Sequence, residues 1–491
     1  MTQKVIPLNT GAGIQRDGTV FASRTYVDGR WVRFQYGRPR KMGGYNGIFL
    51  NAAGVSRGMI MSSDNGLNYV ISGYSNGIQR WTTDNDDGVG FGPVTINVTG
   101  VLSSVGITNQ GSAYTNGTYL NVPLVSSGGS GGQATVVVAS TKISSITVTQ
   151  GGTGYSFGAT VTISAASVGG TGSGFVGTVS ALTTYAPDAN TLWQFDLGYD
   201  AYGNGQNNLI AHPGQNLGDI SSSTNTRPMY GSFTGTSLSP VGIFTASGTT
   251  TLGSPNVTFT TTISQIGAGQ TVTGTGIPAS TTVKSANLVG GVWTAVLSNN
   301  ATASGTVTLT FDNNISVSGG VVMLYPYLFV YGNNGYIGNC AAGDFSNWVS
   351  ADSNKNNVSS TKVVKGLPLR GGTTSPAGLF WTLDSVVRVT YSPTQVGNQT
   401  LYWRYDLLTQ QSSILSSQCV IEYDGIFYWV GTDRFLMYTG VVQEIENKQN
   451  FNYFFDNLNT KQKQKVWVSK VPRWGEIWWF FPLSHLGWVG R

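Results

Sequence analysis

One pattern recurs along this chain and limits what it can fold into. An aromatic or β-branched strand runs into a polar Gly/Asn/Asp turn and returns as a second such strand. Leu67 to Ser72 passes through Tyr74 to Gly77 into Ile78 to Trp81. Leu192 to Leu197 leads to Asn208 to Ala211, and Tyr327 to Tyr331 turns at Gly332-Asn333-Asn334-Gly335 into Tyr336 to Gly338. Leu379 to Leu383 turns at Asp384-Ser385 into Val386 to Tyr391. Ile426 to Val430 turns at Gly431-Thr432-Asp433 into Arg434 to Tyr438, and Ile477 to Phe481 would open one more unit. A single aromatic hairpin has too little partner surface to be stable alone, so such units stack. Radially repeated sheets, as in a β-propeller, do this; an ordinary array of β-sandwiches is the competing arrangement.

The spacing of the hairpins is irregular because two segments read as insertions. The first, residues 94–182, is rich in glycine and repeats at an offset of 41 residues. Ile107-Thr108, Gly111, Tyr114 and Gly117 match Val148-Thr149, Gly152, Tyr155 and Gly158. The second, residues 235–311, carries Thr/Val strands at Val257 to Thr262, Gln270 to Thr275, Thr281 to Ala286, Val292 to Ser298 and Thr306 to Phe311. That rhythm predicts a small immunoglobulin-like β-sandwich. Both segments are nearly uncharged, and insertions belong on outward-facing loops of a rigid scaffold. The chain then divides into an N-terminal arm (1–50), a platform in three parts (51–93, 183–234 and 312–491) and the two inserts. In the arm, the alternation from Thr25 to Tyr36 predicts a strand or hairpin turning at Asp28-Gly29.

Composition agrees with an all-β protein, a β-propeller-like platform with two inserted small β domains. Only 10% of the 491 residues are charged, against roughly 25% in an average protein. Gly (67 residues) and aromatics (12%) are both plentiful, which excludes a disordered low-complexity chain and favours short strands with tight turns. The net charge of +5 is too small for this length to mark a nucleic-acid-binding domain. Cys340 and Cys419 form no metal or disulfide spacing and read as two buried thiols. The first residues lack an apolar export signal. The longest apolar run, Val321 to Tyr331, is too short to span a bilayer and is broken by Pro326. The expectation is a soluble chain, made without export.

Two stretches stand apart. Phe451 to about Lys465 predicts a short helix, with Phe451, Phe454, Phe455 and Leu458 on one face and Asn450 as N-cap. Val466 to Ser469, a turn at Pro472 to Gly475 and Glu476 to Phe481 predict an aromatic hairpin. The second stretch is basic: Arg24, Arg30, Arg33, Arg38, Arg40 and Lys41 fall within eighteen residues and are opposed only by Asp28. Trp31, Phe34 and Tyr36 interleave with them. The pattern fits a strand with arginines outside, a contact to an acidic neighbouring subunit, or a grip on DNA phosphates.

The order FDNLN, a Gln/Lys segment, KVWVSKV, a polar turn and EIWWFFP resembles the tail nozzle (tail tubular protein B-like) proteins of short-tailed bacteriophages. Tyr26 to Tyr45, YVDGRWVRFQYGRPRKMGGY, is similar to that family as well. The resemblance implies a structural virion protein, assembled in the host cytoplasm. Six copies would ring the DNA-ejection channel below a tail adaptor protein, retain the genome and then pass the viral DNA. The inserts would face tail fibres or the host surface. Subunit-interface or DNA-contact candidates are Arg24, Arg30, Arg33, Arg38, Arg40 and Lys41 in the arm, and Trp474, Trp478 and Trp479 in the aromatic hairpin. Plain core packing is the other account of the tryptophans.

Catalytic signals are sparse, so no enzyme, cofactor or metal is expected. His212 and His485 are far apart, without a nucleophile elbow, and His212 before Pro213 reads as a turn residue. Asp84, Asp86 and Asp87 read as a solvated turn, with Ca²⁺ held through several oxygens as the alternative, although the full spacing and distal Glu of an EF-hand loop are missing. Glu444 and Glu446 are expected to face the N-terminal dipole of the helix at Phe451. Gly151 to Gly154 lacks the Lys-Ser/Thr of a phosphate loop and reads as a tight turn. The competing assignments are a receptor-binding or polysaccharide-degrading tail spike and an array of carbohydrate-binding modules.

Overall fold

The computed structural model describes residues 11–19, 24–43, 52–64, 66–75, 77–83, 90–182, 191–216, 219–369, 375–412 and 414–484. Asp84, Asp86, Asp87, His485, Gly44 and Tyr45 lie outside them. The protein is all-β and propeller-like. Among the described residues, five antiparallel meanders of four strands follow one another along the chain. The first is Gly58–Asp64, Leu67–Tyr74, Gly77–Thr83 and Gly90–Gly100. The second is Thr191–Tyr199, Asn207–Asn216, Met229–Ser232 and Ser237–Pro240. The third is Gly320–Leu324, Tyr327–Tyr331, Tyr336–Asn339 and Asn354–Asn357. The fourth is Val363–Leu369, Ala377–Thr382, Val386–Val396 and Gln399–Thr409. The fifth is Val420–Tyr423, Ile426–Val430, Phe435–Tyr438 and Val442–Glu444.

The first strands of the first four meanders lie side by side: Gly58–Asp64, Thr191–Tyr199, Gly320–Leu324 and Val363–Leu369. Between neighbouring meanders sit layers of apolar side chains. Ile210, Val321, Met323 and Phe345 fill one layer; Val322, Phe329, Phe380 and Trp403 the next; Leu379, Trp381, Phe427 and Trp429 the third. A meander buried on both faces loses the period-two alternation. Tyr327–Tyr331 is buried at every position for that reason. The apolar run Val321 to Tyr331 is thus two paired strands around a turn at Tyr325-Pro326. The outermost strands of the first two meanders join through a parallel pair, Ser237-Leu238 beside Asn97-Val98.

Of the two readings of the last aromatic segment, the hairpin holds and the opening of a further unit does not. Glu476–Phe480 does not open a further meander but pairs back on Trp467–Val471, across a turn at Pro472–Trp474 and Gly475. Trp467 stacks on Phe480 with ring centroids 4.0 Å apart. The preceding helix is shorter than read: Phe451–Asn457 is α-helical, Leu458 is extended, and Thr460–Lys465 is a 3-10 turn.

The glycine-rich segment between Gly90 and Leu182 builds two facing sheets. One has strand order Lys142–Thr153, Ser130–Ala139, Gly117–Pro123. The other runs Leu102–Ser112, Ser173–Leu182, Thr160–Thr162, with Val125-Ser126 at its edge. Adding 41 carries Gly117–Pro123 and Ser130–Ala139 onto Thr160–Thr162 and Ser173–Leu182 of the other sheet, and carries Leu102–Ser112 back onto Lys142–Thr153 of the first, so the repeat is a pseudo-twofold. Each half lends its first strand to the opposite sheet. Tyr114 and Tyr155 hold equivalent buried positions. The Tyr114 hydroxyl accepts the Phe175 N–H (3.2 Å), and the Tyr155 hydroxyl accepts the Gly132 N–H (3.1 Å) and donates to the Leu124 carbonyl (2.7 Å). Gly111 and Gly152 also correspond, at φ 65° and 56°. A Cβ on Gly152 would lie 2.1 Å from the Ser130 carbonyl oxygen, which accounts for Gly151 to Gly154 without any phosphate.

The second insert is one six-stranded sheet, not the two-sheet sandwich expected. Its order is Thr271–Gly274, Gly305–Asp312, Ile243–Thr250, Asn256–Phe259, Val292–Leu297, Val283–Val289. The two edges meet at a bridge between Thr271 and Thr282, so the sheet curls into a small barrel around Phe259, Val272, Leu309 and Phe311. Alternating strands of this length serve a sandwich or a barrel equally, and edge closure separates them. The stems of the barrel are tied together: the Asn313 N–H donates to the Gly242 carbonyl at 3.0 Å, and Arg227 forms an ion pair with Asp312.

Candidate functional site

The arm does not turn at Asp28-Gly29. Val32–Gln35 pairs with Arg38–Lys41 instead, around Tyr36-Gly37, both at positive φ. Asp28 is taken out of the turn because its carboxylate binds Arg16 and accepts the Gly29 N–H at 2.7 Å.

The arm and the C-terminal aromatic ribbon pack on each other, bringing two of the candidate clusters together. The Arg33 guanidinium lies 4.3 Å over the Trp474 ring and 3.4 Å from the Glu476 carboxylate. The same carboxylate accepts the Trp478 indole N–H at 3.0 Å. A cation over an aromatic face contributes about 0.5–2 kcal/mol, depending on desolvation, and Arg33 is largely covered. Arg33 therefore fixes the orientation of the arm ribbon. Trp479 faces the other way, packing against Phe435 and donating to the Cys419 carbonyl at 3.2 Å. For that tryptophan, core packing is the better description.

The other basic candidates remain outside this joint. Arg24, Arg30, Arg38, Arg40 and Lys41 are exposed and make no ion pair among the described residues. Arg38, Arg40 and Lys41 line one strand with Tyr36 at its tip, 91% exposed. The result is a ribbon anchored through Arg33 that presents an unneutralised cationic edge.

A second clasp reinforces the first, and nothing in the sequence pointed to it. The Asp17 carboxylate accepts the N–H groups of Asn452 (2.7 Å) and Tyr453 (2.8 Å), capping the helix at its positive end. Arg16 sits 4.7 Å over the Tyr453 ring. Asn450 does not cap with its side chain; its amide donates to the Ile14 carbonyl (3.0 Å) and accepts the Arg16 N–H (3.3 Å). Glu444 and Glu446 do not serve the helix dipole either. Glu444 lies 3.8 Å from Arg434 and Glu446 3.1 Å from Lys448. The one visible hint for the first clasp was Glu476, a lone acid heading an aromatic strand.

His212 is another correction. It is a fully buried strand residue, not a turn residue. Pro213 and Gly214 bulge out of the pairing between Leu192–Gln215 and Gln194–His212, which turns the imidazole inward. Nε2 lies 3.1 Å from the carbonyls of Thr226 and Val317. Burial pushes its pKa down to about 4, so the ring is neutral and structural. Cys340 and Cys419 are free and buried, and burial raises both thiols.

No family model matches the chain, and no curated protein matches it. Among solved structures, the phage phi92 endosialidase aligns with 69% of this chain at 11% identity and a TM-score of 0.17. The chain spans 56% of that protein's length. A likeness at that score carries no argument for fold or activity.

Proposed function

We propose that this chain is a non-enzymatic structural subunit of a short-tailed bacteriophage virion, the tail nozzle. Six copies form a ring around the DNA-ejection channel, below a tail adaptor and beside tail fibres. The cationic arm ribbon of each subunit meets an acidic patch on the next. The observation that carries this is Arg33, held between Trp474 and Glu476, which fixes the ribbon while Arg38, Arg40 and Lys41 stay exposed. A cyclic ring needs two different, complementary surfaces per subunit, and the exposed cationic edge of the anchored ribbon supplies one. The propeller-like platform and the resemblance of FDNLN through EIWWFFP and of the arm to nozzle proteins support the same assignment.

Native mass measurement with negative-stain imaging tests it. The expected result is a closed ring of six copies, reduced to monomers by R38E/R40E/K41E. Trimers, or hexamers indifferent to that triple reversal, would overturn the arrangement, and cleavage of capsular polysaccharide would overturn the non-enzymatic role.

A further inference from the structure

The inserted barrel carries an apolar tip that its own core does not use. Val283–Val289 and Val292–Leu297 are joined by Gly290-Gly291, both at positive φ, in a two-residue hairpin turn. Val289 pairs with Val292, and Leu288 with Trp293, so the two pairs face opposite sides of the ribbon. Leu288 is 62% exposed, Val289 59% and Val292 44%. Both faces of the tip are therefore apolar and in solvent.

A protein partner docks on one face of a ribbon and needs roughly 800 Å² of contact on each side, far more than three side chains provide. An apolar medium surrounds both faces at once. The charge pattern agrees. Lys284 is the one charged side chain between Ile243 and Phe311, and it is exposed on the strand leading to the tip. Four residues of extended strand set it about 13 Å behind Leu288, so a tip buried by about 5–10 Å leaves Lys284 among the headgroups. We infer that Leu288, Val289 and Val292 insert into a lipid bilayer bearing anionic headgroups, with Lys284 at the level of the phosphates.

The test uses the full chain with vesicles of phosphatidylcholine alone or mixed with phosphatidylglycerol. Cys340 and Cys419 are buried, so Val292→Cys gives a site for an environment-sensitive fluorophore. The expected outcome is co-sedimentation with mixed vesicles and a blue shift of the label. L288D/V289D should lower vesicle binding at least tenfold while leaving thermal unfolding unchanged. Lys284→Glu should remove the preference for phosphatidylglycerol. Absence of wild-type binding, binding unaffected by L288D/V289D, or a label that stays in water would overturn the proposal. Attachment through the arm ribbon would appear as the second of these.

Discussion

Single residues hold this protein together where its sheets meet. Asp196 bridges the second and third meanders by accepting the Met323 N–H at 2.8 Å, and burial raises its pKa. His212 ties the second meander to the carbonyls of Thr226 and Val317. Its folded pKa of about 4 lies below its unfolded value of about 6.5. The unfolded chain thus binds the proton first as pH falls, and stability is lost between roughly pH 6.5 and 4. The neutral ring's share is fully present above that window and amounts to about 3 kcal/mol over its span. Chemical denaturation of wild type and His212→Gln at stepped pH should show the wild type losing the extra amount. Parallel slopes would contradict it. The sequence concealed this residue because proline next to histidine reads as a turn, whereas a bulge admits proline into a strand.

Among the elements, strand positions were easiest to read where a turn dipeptide or polar cluster bounds an aromatic run. Tyr327–Tyr331 and Ile426–Val430 lie where the aromatic runs and their bounding turns place them. What could not be read was how strands close on one another. Closure of the second insert rests on Thr271 meeting Thr282, and no local pattern announces an edge pairing. The glycine-rich insert gives the converse case, since its repeat is explicit in sequence but its strand exchange is not. Tyr155→Phe removes the hydroxyl that serves both Gly132 and Leu124. It should destabilise the module by about 1–3 kcal/mol, because two buried backbone groups lose their partner. Tyr114→Phe leaves only the Phe175 N–H unmet and should cost less. Thermal unfolding of the two variants side by side checks the order.

At the scale of the whole molecule, the barrel is an addition carried on a narrow stem. Gly242 and Asn313 are already hydrogen-bonded across the stem of the barrel. Replacing residues 243–311 with a two-glycine linker, which keeps Asp312 for Arg227, should leave the platform folded and the proposed ring intact, as judged by particle mass and by hydrogen exchange in the five meanders. Loss of cooperative unfolding would show that the barrel is integral. The candidate site was half legible at this scale. Its arginines and tryptophans stood out as clusters, but their mutual contact spans most of the chain. Only the fold could reveal that Arg33 is used internally while Arg38, Arg40 and Lys41 are left free.

The capping of the Phe451–Asn457 helix by Asp17 joins residues 435 positions apart. A ribosome adding about 5–20 residues per second takes roughly 20–90 seconds to cover that distance. The segment around Asp17 therefore waits, already synthesised, for its docking place to emerge. Its polar makeup suits that delay, because a greasy strap would find the wrong surface first. The contact therefore forms only once the helix has been made, late in the folding of each copy.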